Sequence, residues 1–263
     1  LSKTVINWNR KPKQVYLTDR SLDWPVYERQ SLAVAVGDFF EYVAHALVDG
    51  SHVGYTAGNV DCCPDLVRGD VLYESKASCK SEFLCYRYQT ENYRAAMDAD
   101  PYCQVYYWFF DYSKGDTKLS GRFKTKRELF AFLCLHVQRA LLLPLSVVEA
   151  LSDNAEFARH GEGHTWYAGG EREVPSDYYR FKVRGIKAIH ENNGWMEKAQ
   201  IPRADYVVVQ HVTAPIEMQF EASTFAVAPF RVLGVHPKVK RPSNPIPPGE
   251  RQPSNPVLDK VPF

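Results

Sequence analysis

The sequence predicts an α/β fold, a mixed β-sheet flanked by helices with a β-rich C-terminal extension. Three observations carry that expectation. Helix-period and strand-like stretches alternate over residues 31–160. One segment, CQVYYWFFDY (103–112), is almost continuously aromatic or β-branched, as in a strand covered on both faces. Beyond His160 the chain offers strand-like runs broken by Gly-rich and Pro-containing segments.

The elements follow in chain order. Residues 1–30 form an N-terminal arm of mixed extended and loop character. From Ser31 to Asp49, apolar residues at 32, 36, 39, 40, 43 and 47 keep a helical period, with Ser31 as N-cap and Gly50 as terminator. A strand at 52–57 leads into a hairpin, VDCCPDLV and VLYESKAS, about Arg68-Gly69-Asp70. Residues 81–99 read as a helix capped by Ser81 and closed at Asp100-Pro101. After the aromatic strand, TKLSGRF is expected to pair with it. Thr125 then caps a helix over 126–142, and a further helix runs from Pro144 to about Arg159. Residues 160–177 read as a polar, Gly-rich loop, and 177–191, 204–214 and 223–235 as strands. The stretch 161–236 is either an appended β-rich subdomain or an extension of the main sheet. The tail, 237–263, repeats Pro-Ser-Asn-Pro and is expected to be extended.

The hairpin holds the chemistry. A tight turn centred on Arg68-Gly69 pairs Val67 with Asp70, sets Asp65 opposite Leu72, Glu74 opposite Cys63, and Lys76 opposite Asp61. Side chains alternate along a strand, so Glu74 and Lys76 share one face about 7 Å apart. Asp61 and Asp65 fall on that face as diagonal neighbours of Glu74. Three carboxylates and an ammonium make a poor core and a good site for a hard divalent cation. A solvated edge hairpin is the ordinary alternative.

Composition narrows the function classes. At 263 residues, 45% hydrophobic and 24% charged, the chain reads as a soluble globular protein. A net charge of +1 gives no bulk attraction to polyanions, so a nucleic-acid surface would be a local patch. No apolar run is long enough to span a membrane, and the polar start lacks the pattern of a secretory signal. The expected location is cytoplasmic, nuclear or the interior of a virus-infected cell. Six cysteines at 62, 63, 79, 85, 103 and 134 have neither disulfide-framework nor iron–sulfur spacing and are expected to be free thiols. Arg180, Lys182, Arg184 and Lys187, interleaved with Tyr179 and Phe181, suggest either a phosphate-tracking strand or, more simply, a solvated sheet face.

Around the hairpin the order of motifs becomes specific. Gly37-x-x-x-Glu41 lies on the helix before it, Pro64-Asp65 at the end of one strand, Glu74-x-Lys76 on the next, and Gln89-x-x-x-Tyr93 on the helix after it. This order resembles the PD-(D/E)xK nuclease superfamily, and the last motif its recombination-exonuclease and phage-type branch. The match covers residues 31–112. It implies a restriction-endonuclease-like core and hydrolysis of DNA phosphodiesters with Mg²⁺ or Mn²⁺. By the same resemblance Asp65 and Glu74 are metal ligands, joined by the Ser75 carbonyl and by Glu41. Asp61 competes with Asp65 or serves a second metal, Lys76 activates water or stabilises charge, and Gln89 with Tyr93 contacts DNA or braces the site. RNA as substrate and a homodimer that completes the groove both stay open. The rival reading is an inactive nuclease-like module that binds nucleic acid or a protein partner.

Overall fold

The computed structural model describes residues 13–17, 20–23, 25, 29–48, 52–53, 64–78, 82–112, 119, 122–166, 173–192, 194–220 and 223–238. Asp61, the segment TKLSGRF apart from Leu119, Arg122 and Phe123, and the tail beyond 238 lie outside the described residues.

The chain enters through β1 (Lys13–Leu17) and a short 3-10 turn, then α1 (Arg29–Leu47). Next come β2 (His52–Val53), β3 (Leu66–Arg68), β4 (Val71–Ser78), β5 (Glu82–Tyr86), α2 (Arg87–Ala99) and β6 (Gln104–Asp111). The middle of the chain supplies α3 (Lys126–His136), β7 (Arg139–Pro144), α4 (Leu145–Ser152), β8 (Ala158–Trp166), β9 (Glu173–Lys182), α5 (Val183–Glu191) and α6 (Trp195–Lys198). Four strands close the described chain: β10 (Tyr206–Val212), β11 (Ile216–Phe220), β12 (Ser223–Val227) and β13 (Arg231–Pro237).

Seven strands form the main sheet in the order β10-β13-β7-β6-β4-β3-β2. The β4–β6 and β7–β13 pairs are parallel and the others antiparallel, so the sheet is mixed. Its centre is β6, buried from Val105 to Asp111, as its aromatic sequence predicts. Trp108 and Phe110 face one core, with Phe39, Phe40 and Val43 of α1 and Phe130 of α3. Tyr107 and Phe109 face the other, with Tyr93 of α2, Val148 of α4 and Ile186 of α5. Each such side chain, fully withdrawn from water, contributes roughly 1.5–3 kcal/mol. Thr125 caps α3 as the sequence predicts, accepting from the Glu128 amide at 3.3 Å.

Several expectations need correcting. Ser31 lies inside α1 rather than capping it, because the helix begins at Arg29. The first third of the helix expected over 81–99 is strand β5: Phe83 and Cys85 are buried while Leu84 between them is exposed, a two-residue period. The helix expected over 126–142 stops at His136, and 139–144 is a strand. Ala140 and Leu142 face one core and Leu141 and Leu143 the other, which only a doubly covered strand permits. The partner of β6 there is therefore β7. Helix α4 ends at Ser152, and the expected loop at 160–177 is largely the β8–β9 hairpin. Of the strand expected over 177–191, β9 takes the part up to Lys182 and α5 the rest.

The C-terminal stretch divides its strands. β10 and β13 extend the main sheet, β11 and β12 join β1 in a second sheet, and β8 and β9 join β5 in a third. Among the described residues no helix is long and apolar enough to cross a membrane.

Candidate active site

The β3–β4 hairpin sets the site. Its register pairs Leu66 with Tyr73, Val67 with Leu72 and Arg68 with Val71. The turn is therefore Gly69-Asp70, not Arg68-Gly69, and Gly69 takes a φ of +57°, which suits a residue without a β-carbon. Relative to expectation the pairing shifts by two residues. A shift of two preserves which face each side chain takes. Continued one residue, the ladder brings Asp65 opposite Glu74 rather than Leu72.

Asp65 is locked by the backbone. Its Oδ2 accepts the Ser75 amide at 2.6 Å. In an extended strand the N–H and C=O of one residue point to the same side, so the Ser75 carbonyl is directed towards the edge that Asp65 occupies. Burial, then the charges of Glu74 and Glu41, raise the Asp65 carboxyl well above its ordinary range, against the pull of Lys76 and the Ser75 amide.

Glu74 is 2% exposed and is held by three donors. Tyr93 Oη donates to Oε2 at 2.5 Å, Gln89 Nε2 donates to Oε1 at 3.2 Å, and the Lys76 ammonium also meets Oε1. Gln89 and Tyr93 lie one turn apart on α2, so a single helix face grips both carboxylate oxygens. They act as braces on Glu74. Tyr93 is raised by burial and by the Glu74 charge, so its proton stays on the phenol and in the hydrogen bond.

Burial pulls the Lys76 ammonium down, but Glu74 and Asp65 together outweigh it and hold Lys76 above its ordinary value. Lys76 is a fixed cation. That fits stabilisation of charge better than removal of a proton from water.

Glu41 comes from α1, which packs across β4 and β3. Burial first, then the charges of Asp38 and Glu74, push its carboxyl up to about 7. Asp38 itself accepts from Lys126 Nζ at 2.6 Å, a pair that ties α1 to α3 beside Glu41. Sequence reasoning missed this pair, whose partners stand 88 residues apart. Cys85, expected as a free thiol, lies beside the site: burial pushes its thiol up to about 12, and its neighbours include Lys76 and Glu74. Cys85, Cys103 and Cys134 are free thiols.

The donors suit a hard cation. Glu41, Asp65 and Glu74 supply carboxylate oxygens of the kind a hard cation takes, and burial first, then their mutual repulsion, raises Glu41 and Asp65. Gln89 Oε1, next to Glu74, is buried with no hydrogen-bond partner among the described residues. The geometry is not a closed cage: among those residues no three His, Cys, Asp or Glu side chains converge as a metal-binding group. Both Glu74 oxygens are already engaged, Oε1 by Lys76 and Gln89 and Oε2 by Tyr93.

Compared with protein-family models, with curated proteins and with solved structures, the chain finds no match in any of the three.

Proposed function

We propose that this chain is a metal-dependent nuclease of the PD-(D/E)xK type, hydrolysing DNA phosphodiester bonds. One observation carries the reading: Asp65, Glu74 and Lys76 meet at the hairpin while Gln89 and Tyr93 both hold the Glu74 carboxylate. That joins three of the four motifs into one cluster, and the fourth, Glu41, feels the charges of Glu74 and Lys76.

Mg²⁺ or Mn²⁺ would be held by Asp65, Glu74, the Ser75 carbonyl and Glu41, and would supply an acidified water and neutralisation of phosphate charge. The protein's own residues have separate tasks. Lys76, kept protonated, offsets negative charge growing on a phosphate oxygen. The Ser75 amide fixes the rotamer of Asp65. Gln89 and Tyr93 fix that of Glu74, which leaves little reorganisation to be done when substrate arrives.

The test is cleavage of supercoiled plasmid and of end-labelled single- and double-stranded DNA and RNA, with Mg²⁺, Mn²⁺, Ca²⁺ or EDTA. Cutting is expected with Mg²⁺ or Mn²⁺ and not with Ca²⁺ or EDTA, and Glu74→Gln is expected to lose it. Uncut substrate under every cation, or full activity in Glu74→Gln, would overturn the proposal.

A second reading has its own support. The Lys76–Glu74 ion pair and the lack of a three-carboxylate cage among the described residues also suit a nuclease-like module that binds without turnover. Oligonucleotide binding without cutting, and no thermal stabilisation by Mg²⁺ or Mn²⁺, would favour it.

A further inference from the structure

The three-stranded sheet β5-β9-β8 has one face that neither core uses. Phe83, Cys85, Phe181 and Ala158 turn to the inner side and are buried. The outer side carries two adjacent rows set by the register. One row is Leu84, Arg180 and Arg159, and the next is Tyr86, Tyr178 and Gly161. The rows are two residues apart along each strand, about 7 Å.

The rows bring cationic and aromatic side chains side by side. Leu84 is 38% exposed and Arg159 is exposed. The Arg180 guanidinium lies 4.8 Å from the centre of the Tyr178 ring and donates to its hydroxyl at 2.8 Å, placing a cationic plane beside an aromatic one. Tyr86 stacks on Tyr88 at 5.6 Å and 27°. Gly161 makes room for the second row: a β-carbon there would stand 2.5 Å from Tyr178 Cε2. At one corner Glu82 and Lys182 face each other in the register.

From these rows we infer that the outer face of β5-β9-β8 is a binding platform for single-stranded nucleic acid. Arginines paired with aromatic rings suit a flexible polyanion whose bases can be splayed and stacked, and suit a duplex poorly because its bases are hidden. Position adds to chemistry. Tyr86 immediately precedes α2, whose next turns carry Gln89 and Tyr93 onto Glu74. A strand lying on the platform is thus delivered towards the candidate active site, and this part of the inference rests on the nuclease reading.

The experiment is fluorescence anisotropy with labelled oligothymidylate in EDTA over a range of salt, so that binding is read without cutting. Tyr178→Leu is expected to weaken binding roughly 5- to 100-fold, the worth of one stacked base, while Tyr178→Phe keeps it. Gly161→Ala, which displaces the ring without removing a contacting group, is expected to behave like Tyr178→Leu. Arg159→Ala and Arg180→Ala should each reduce the slope of log affinity against log salt by about 0.7. Circular dichroism and thermal melting establish which variants stay folded, and where Tyr178→Leu does not, Gly161→Ala and the two arginine variants decide. Folded variants with wild-type affinity and slope, or duplex bound as tightly as oligothymidylate by the unaltered chain, would overturn the platform. The same proteins assayed with Mn²⁺ separate the two proposals. The full binding pattern without cutting removes the nuclease and leaves the platform, whereas cutting with an unchanged binding pattern does the reverse.

Discussion

The Tyr93 hydroxyl donates to Glu74 Oε2 at 2.5 Å, joining the middle of α2 to the middle of β4 across 19 residues of chain. Both groups are withdrawn from water, so the bond acts in a medium where a missing partner is costly. Glu74 therefore serves two ends: it is the best-held carboxylate of the site and a fastener between sheet and helix.

Tyr93→Phe keeps the ring against Tyr107, which it meets edge-on at 6.0 Å, and removes only the donor. Leaving Glu74 Oε2 short of a partner should cost about 1–3 kcal/mol of folding stability. Urea unfolding at neutral pH measures it. Unchanged stability would mean that water replaces the phenol and that the bond is not structural.

Lys76→Met leaves the Glu74 carboxylate buried without its cation, a change expected to cost roughly 3–5 kcal/mol. The double variant Lys76→Met/Glu74→Gln should recover part of that loss, because the carboxylate that pairs directly with Lys76 is then neutral. A double-mutant cycle on unfolding free energies gives the coupling. Additive losses would show that the two side chains do not sense each other.

Glu41 makes the metal-free protein's stability depend on pH in an unusual direction. Its carboxyl, near 4.5 when unfolded, rises to about 7 in the fold, so the folded state holds the proton more tightly. The stability that this proton contributes is fully present below about 4.5 and is lost as pH rises through about 7. Asp65, also raised from an ordinary 3.8, acts with the same sign. Glu41→Gln should flatten the profile over that window, as read from urea midpoints at stepped pH in EDTA. A profile that keeps its full slope in Glu41→Gln would discharge Glu41 from this role.

Gly69→Ala tests the hairpin turn. Nothing lies within 4 Å of the position a β-carbon would take, so the cost is purely that of a left-handed backbone, about 1–2 kcal/mol. A neutral effect on the thermal midpoint would show that the turn adopts another conformation in solution.

Much of the fold was legible where pattern and burial agree. The β6 strand declared itself because every side chain from Val105 to Asp111 is covered, and α1 because its apolar stripe meets the sheet. Failures came where one pattern serves two structures. EFLCY in β5 and RALLLP in β7 are short apolar runs that extend neighbouring helices on paper; only partners distant in sequence, β9 and β6, decide for strand. Gly161 and Gly163 read as loop residues, yet both lie inside β8, where Gly161 admits the Tyr178 ring. At the site, alternation placed Asp65, Glu74 and Lys76 on one face despite a wrong turn. The grip of Gln89 and Tyr93 on Glu74 follows from the placement of α2, which is a tertiary fact. The Asp38–Lys126 pair spans 88 residues and has no local signature.

The β3–β4 pairing imposes a rule of parity on this site. Adding or removing one residue within the paired segments, between Asp65 and the turn or between the turn and Glu74, would swing one carboxylate to the opposite side of the sheet from the other, whereas adding or removing two would return it. An odd change in the paired segments would thus dismantle the cluster without altering any of its side chains, whereas a longer turn at the tip would leave it intact.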